Sequence, residues 1–310
     1  MTSSATRSSW VLSALADPPP EGSVETVGVV VLTQGRRPVE LARALTSVAA
    51  QTGVRTDVVV VGNGWQPTGL PSGVRGLALA ENVGIPAGRN AGVPEVAGEL
   101  VFFLDDDAAL LDPGFLAAVA GRFAAEDRLG ILQPRVDVLG GGEPPRRWTP
   151  RLRAADPHRS SPVFSVWEGA LAVRRTAFEA AGGWPAPFFY AHEGIELAWR
   201  VWNAGLSVRY AGDLAVEHPL TTPTRHGDYL RLNARNRVWL ARRNLPWLCG
   251  IPYVATWTAL QVARSVRTPA ILGPWFRGWW EGWRTPAGDR SPLRWSTVLR
   301  MTRHGRPPVV

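Results

Sequence analysis

The chain has no lysine, a single cysteine and only two methionines in 310 residues. One thiol, Cys249, cannot build an internal disulfide framework, and it leaves a cysteine-based structural zinc site short of ligands. A reducing compartment is therefore the expectation. Without lysine, all 34 basic side chains are arginines, which stay charged at any physiological pH. A signal-peptide core is also missing: residues 1–25 are rich in Ser, Pro, Ala and Thr, and Asp17-Pro18-Pro19-Pro20 ends any local helix. They read as a flexible lead-in, with a transit peptide as a weak alternative.

What is present is enough sequence for a sizeable core and a net charge of +8. The charge is uneven. From Arg225 onward there are 15 arginines against Asp228, Glu281 and Asp289, which suggests an anionic partner for the C-terminal third. Before that region, short apolar runs alternate with helical patterns. Val27 to Leu32 reads as a buried strand and Pro38 opens a helix to about Ala50. Val58 to Val61, Val74 to Ala80 and Leu100 to Leu104 read as further strands. Strands alternating with helices predict an α/β domain with a mostly parallel central sheet flanked by helices. The Gly-, Pro- and Arg-rich stretch from Leu139 to Pro162 reads as a long mobile loop near the site. Regular structure is expected again over Trp167–Val173, over helices at 176–181 and 193–204, over a strand at 208–210, and in a segment ending at His218.

The apolar run Leu100-Val101-Phe102-Phe103-Leu104 stops on Asp105-Asp106-Asp107. Acids placed there emerge at the carboxyl end of a buried strand, where open α/β sheets bind ligands. Adjacent carboxylates repel unless a positive charge lies between them, and a hard divalent cation supplies one. A solvated acidic turn capping the helix that begins near Pro113 is the competing reading.

Several segments together resemble the family 2 glycosyltransferases, inverting enzymes of the Rossmann-like GT-A fold. They are Val29–Thr33, Asn82-Val83-Gly84-Ile85-Pro86-Ala87-Gly88-Arg89-Asn90-Ala91-Gly92, the Asp triplet, Gly169 through Trp184, and His192 through Ala204 leading to Glu217-His218. The resemblance covers roughly Val27 to Pro219. It implies a GT-A domain at 26–222 followed by a helical extension at 223–310. It also implies that Asp105 and Asp107 hold Mg2+ or Mn2+ on the diphosphate of a nucleotide sugar, with His218 as a further metal ligand. Thr33, Gln34, Asn63, Asn82, Arg89, Asp105 and Asp106 would then contact the donor, and Trp167 and Glu168 the acceptor.

Two departures from the family pattern matter. The family's general base comes from a Glu-Asp-x-Asp segment that reads here Glu193-Gly194-Ile195-Glu196, so the usual base position carries glycine. Glu193 is the expected replacement, with His192 as its rival and Glu196 as a flanking carboxylate expected to form an exposed pair with Arg200. An Asp common in the family at Gly62 is also absent, which leaves Asn63 as the side chain able to read a nucleobase.

After His218, aromatic residues are scattered among arginines on helix-compatible segments, a pattern suited to a lipid headgroup interface. Asn244 to Ala263 carries no charge, but Pro246, Gly250 and Pro252 leave a clean helix only from Tyr253 to Ala263, too short to span a bilayer. The implied function is transfer of a sugar onto a hydroxyl of a glycan or lipid-linked acceptor in cell-surface polysaccharide synthesis. The implied setting is the cytoplasm, peripheral on the inner face of the plasma membrane. A binding protein for nucleotide sugars or glycans with impaired catalysis is the alternative, a packed helical subdomain is the competing reading of the tail, and a nucleic-acid partner is not expected.

Overall fold

Alternating valines explain the first strand. In β1 (Thr26–Thr33), Val27, Val29 and Val31 join one hydrophobic cluster and Val30 joins another, on the opposite face. Side chains alternate across a strand, so an unbroken apolar run suits a strand covered on both faces. The computed structural model describes residues 25–151, 156–220, 228–304 and 306–309. The expected lead-in at 1–25, apart from Glu25, lies outside them, as does the expected domain boundary at 222/223.

The chain continues through α1 (Pro38–Ala49), β2 (Arg55–Asn63), β3 (Val74–Leu79), α2 (Ile85–Gly92), β4 (Leu100–Asp105) and β5 (Ala109–Leu110). Then come α3 (Phe115–Ala125), β6 (Leu129–Val138), β7 (Ser161–Pro162), β8 (Ala170–Arg174), α4 (Arg175–Ala180), α5 (Glu193–Asn203) and β9 (Ser207–His218). The C-terminal helices are α6 (Tyr229–Asn244), α7 (Trp247–Arg264), α8 (Leu272–Arg284) and α9 (Trp295–Arg303). The strands form one sheet in the order β3-β2-β1-β4-β8-β6-β9-β5, with β7 beside β9. The parallel part is β3-β2-β1-β4, and β8 joins it antiparallel to both β4 and β6. Phe102 and Phe103 show how both faces are filled. Phe102 packs edge-on against Phe115 at 5.6 Å, and Phe103 packs against Trp184 at 5.2 Å. Truncating either fully buried ring to alanine costs about 3–5 kcal/mol.

Two glycines seat α2 close to the sheet. A Cβ at Gly88 would lie 2.5 Å from Leu32, and one at Gly92 would lie 2.6 Å from Val30. The close approach buries Arg89, on the turn between them, at the end of β4. The pairing of β5 with β9 aligns Ala109 with Glu217, which brings His218 beside Asp107.

Several local expectations are corrected. Strand β6 was not expected, because Gly130 and Pro134 interrupt its pattern. The strand tolerates Pro134 at a register shift between Pro134 and Arg135. The separate strand at 208–210 and the segment ending at His218 are one strand, β9. The stretch from Leu139 to Pro162 is no featureless loop in its described part: Trp148 is buried, a 3-10 turn spans Arg146–Trp148, and β7 pairs with β9. Helix α7 begins at Trp247 and runs through Pro252 rather than starting beyond it.

The tail divides into a packed part and an exposed part. Gly278 and Gly282 of α8 lie against α6, where a Cβ would meet Arg231 O at 1.9 Å and Val238 at 2.7 Å. From α6, Asn236 Nδ2 donates to the carbonyls of Phe188, Tyr190 and Ala191, and Arg235 donates to that of Phe188 at 3.0 Å. Helix α6 is therefore part of the core that shapes α5 and its entry. Trp247, Leu248, Ile251, Val266, Trp280 and Trp295 are exposed. Among the described residues no helix is long and apolar enough to cross a membrane.

Candidate active site

The carboxyl ends of β1 and β4, the loop before β8 and the start of α5 enclose a cleft of about 460 Å³. On the β4 side, Asp105, Asp107 and His218 each offer a ligand atom, and these atoms lie within 4.8 Å of one another. Two carboxylate oxygens and an imidazole nitrogen form a donor set that fits Mg2+ or Mn2+. Asp107 is buried, its Oδ1 lies 3.0 Å from His218 Nε2, and its other oxygen meets the guanidinium of Arg37. Arg37 also meets Asp106 at 2.5 Å, and Thr33 Oγ1 donates to Asp106 at 2.5 Å. Trp148 and Trp167 stand edge-on to the His218 ring at 5.3 and 4.9 Å.

Arg89 is buried and donates to Asp105 at 2.6 Å. Burial alone would raise the Asp105 pKa, but the charges of Arg89, His218 and Arg37 and the Arg89 hydrogen bond outweigh it and hold that carboxyl below its ordinary value. The acid is thus kept as an anion. Arg36, Arg37, Arg89 and Arg147 all line the cleft, a concentration of fixed positive charge suited to a diphosphate.

Across the cleft are Glu168 and Glu193. Glu168 is half-buried, and its Oε1 accepts the backbone N–H of Gly194 at 2.9 Å. Glu193 is only 3% exposed. Its burial, followed by the charge of Glu168, pushes its pKa up to about 8. Glu168 is also raised, mainly by burial, against the lowering effect of the Gly194 N–H.

A family model for glycosyl transferase family 2 matches residues 29–182. The match makes residues 29–182 a glycosyl transferase family 2 segment. The chain is similar to the pre-mycofactocin glycosyltransferases of two Mycobacterium tuberculosis strains, CDC 1551 / Oshkosh and ATCC 25618 / H37Rv. Identity is 29% over 150 residues, covering 46% of this chain and 31% of each relative. It thus spans about a third of the length of the curated relatives it matches. Its fold is similar to that of GalNAc-T7 in a crystal structure with UDP, GalNAc and Mn2+, with a TM-score of 0.61 and 15% identity over 93% of this chain and 56% of that one. Staphylococcus aureus TarS residues 1–349 align at a TM-score of 0.49 and 16% identity, over 69% of this chain and 65% of that one.

The structure brings most of the expected site residues together: Thr33, Gln34, Asn63, Arg89, Asp105, Asp106, Trp167, Glu168, Glu193 and His218 all line the cleft. Others serve elsewhere. Glu196 was expected in an exposed pair, but it is fully buried beneath α6. There it is bound by Arg243 at 2.8 Å, Asn244 at 2.8 Å and Arg200 at 2.7 Å, and it lies outside the cleft lining. His192 also faces α6: its Nε2 lies 3.1 Å from the Asn233 carbonyl, and burial, then the charge of Arg237, lowers its pKa well below the ordinary value. It lies outside the cleft lining. The Asn63 amide is committed to the chain, donating to Asn82 Oδ1 and to the Gly84 carbonyl and accepting the Val83 N–H. Asn63 and Asn82 therefore fix the turn into α2, and base reading by Asn63 is not what its contacts show. Gly62 has a steric reason, since a Cβ there would lie 2.0 Å from the Trp65 carbonyl oxygen.

Arg36, Arg37, Arg147 and Tyr190 were not singled out from sequence, yet all line the cleft. The available signal was Arg36-Arg37 directly after the β1 turn, at the same sheet edge as the acids. Arg147 and Tyr190 lie on irregular segments that carry no periodicity.

Proposed function

We propose that this chain is a metal-dependent inverting glycosyltransferase. It moves a sugar from a nucleoside-diphosphate sugar onto a hydroxyl of a glycan or lipid-linked acceptor in cell-surface polysaccharide synthesis. One observation carries the reading. Asp105, His218 and the buried Arg89 line one wall of a single cleft, with buried Asp107 completing an Asp-Asp-His donor set, and a pair of carboxylates with raised pKa lies on the other.

Asp105, Asp107 and His218 would hold Mg2+ or Mn2+, which when bound neutralises diphosphate charge as the nucleoside diphosphate leaves. Arg89, Arg37 and Arg147 add fixed charge around the phosphates and need no reorganisation as negative charge builds there. Thr33 and Gln34, at the end of β1, are placed to contact the nucleoside. Trp167 offers an aromatic face for stacking against an acceptor sugar. Proton removal from the acceptor hydroxyl falls to a carboxylate of the opposite wall, where Glu168 and Glu193 lie.

The exposed face of α7 and α9 suits peripheral contact with an anionic bilayer. Trp247, Leu248, Ile251 and Trp295 project apolar surface, and Arg290 lies over the Trp247 ring at 4.9 Å. Sedimentation with phosphatidylglycerol vesicles, and not with phosphatidylcholine vesicles, checks this part.

The central experiment is calorimetry with UDP-, GDP-, CDP- and dTDP-sugars in Mn2+ and in EDTA. One donor should bind only with the metal. Binding or turnover undiminished in EDTA removes the metal from the reading, and no binding by any donor removes the transferase assignment.

A further inference from the structure

We propose that Glu168, on the loop entering β8, is the general base, and that residue 194 is glycine because the Glu168 carboxylate occupies the space a side chain there would fill. The proposal rests on the transferase reading above and assigns the role left open at Gly194.

The geometry is a substitution in space. A Cβ at Gly194 would lie 2.5 Å from Glu168 Oε1 and 2.9 Å from its Cδ, with the Val166 carbonyl oxygen also at 2.5 Å. No side chain fits at 194 while Glu168 holds this position. The Gly194 N–H fixes the carboxylate at 2.9 Å, in the first turn of α5, where free N–H groups and the helix dipole favour negative charge. The carboxylate therefore reaches the start of α5 from β8 instead of from α5 itself. Crowding in the loop supports the placement: a Cβ at Gly169 would strike the Trp167 ring at 2.1 Å, so the chain turns tightly after Glu168.

Glu193 is poorly suited to the role. It is 3% exposed, its Oε2 has no hydrogen-bond partner among the described residues, and its raised pKa keeps it a neutral acid at pH 7. Glu168 is half-buried and lines the cleft, so an acceptor can reach it. In the step itself, the acceptor O–H proton passes to Glu168 and the acceptor oxygen bonds the anomeric carbon. The bond from that carbon to the donor phosphate breaks, and the electron pair leaves with the nucleoside diphosphate. Glu168 then returns the proton to solvent.

The test follows nucleoside-diphosphate release from the donor selected by calorimetry, with water as acceptor. Glu168→Gln keeps an oxygen for the Gly194 N–H but cannot take a proton. It should lower kcat by about 100-fold or more, with Mn2+-dependent donor binding and Tm preserved. Glu193→Gln should lower kcat by less than about tenfold, and added formate should restore turnover to Glu168→Ala. A Glu168→Gln enzyme within about fivefold of wild type, or a larger loss in Glu193→Gln, overturns the proposal while leaving the transferase reading intact. A wild-type protein that turns over no donor removes both.

Discussion

The two walls of the cleft hold the same chemical group under opposite electrostatic conditions. On the β4 wall every carboxylate faces a cation: Asp105 has Arg89, and Asp106 and Asp107 have Arg37. On the α5 wall Glu168 and Glu193 face each other, and among the described residues neither forms an ion pair. Paired carboxylates keep a fixed charge and can hold a cation or orient phosphates. Unpaired, desolvated carboxylates have raised pKa values and can exchange a proton. One wall is built to hold charge and the other to move it.

The largest effect should come from breaking the charge-holding wall. Asp107→Ala removes a ligand from the Asp-Asp-His set. It should abolish Mn2+-dependent donor binding in calorimetry and lower turnover by about 10³-fold. The thermal transition serves as the folding control, because Asp107 also pairs with Arg37 and His218. A donor affinity that survives the substitution would mean the acids only cap a turn.

The second prediction uses Glu196, three residues from Glu193 on the same helix but sealed beneath α6. Its partners Arg243 and Arg200 are largely buried, with side chains 7% and 18% exposed. Glu196→Ala strands both cations and should cost about 3 kcal/mol in urea unfolding. Donor binding per folded molecule should be retained, since Glu196 does not line the cleft.

The contrast between Glu193 and Glu196 marks where sequence reasoning stopped. The parallel part of the sheet was legible because its strands are unbroken apolar runs, as in Val29–Leu32 and Leu100–Leu104. The acid cluster was legible because it ends one of them. On α5, helical spacing placed Glu193 and Glu196 on one face, but it could not show that α6 closes over only the second. Arg243, which decides the matter, lies 47 residues from Glu196. Strand β6 was hidden by Pro134, tolerated only because the ladder shifts register there. Arg37 was hidden because a turn has no period to place it opposite Asp106 and Asp107.

Arg37 gives the third prediction. Its guanidinium stands on Asp107, one of the proposed metal ligands, so arginine and a divalent ion would compete for that carboxylate. Arg37→Ala should tighten Mn2+ binding in the absence of donor by several-fold, as measured by calorimetry, because like charges at close range repel. It should weaken donor binding in the presence of Mn2+, where the arginine adds charge beside the phosphates. Unchanged metal affinity would show that the ion and Arg37 occupy separate places.

The smallest expected effect tests the proton-moving wall through stability. The folded-state pKa of Glu193 is raised from 4.5 to about 8, first by burial and then by Glu168. Between those values the folded state binds a proton that the unfolded state has released, so stability falls as pH rises through this interval. Below it the neutral acid fits its enclosed site, and above it the folded protein must hold a second anion beside Glu168. Glu193→Gln removes this titration. The Tm of wild type should therefore fall relative to the variant as pH rises from about 5 to about 8, and the two should run parallel if Glu193 is ionised throughout. The variant leaves the pairing of the β4 wall untouched, so the pH dependence reads the α5 wall alone.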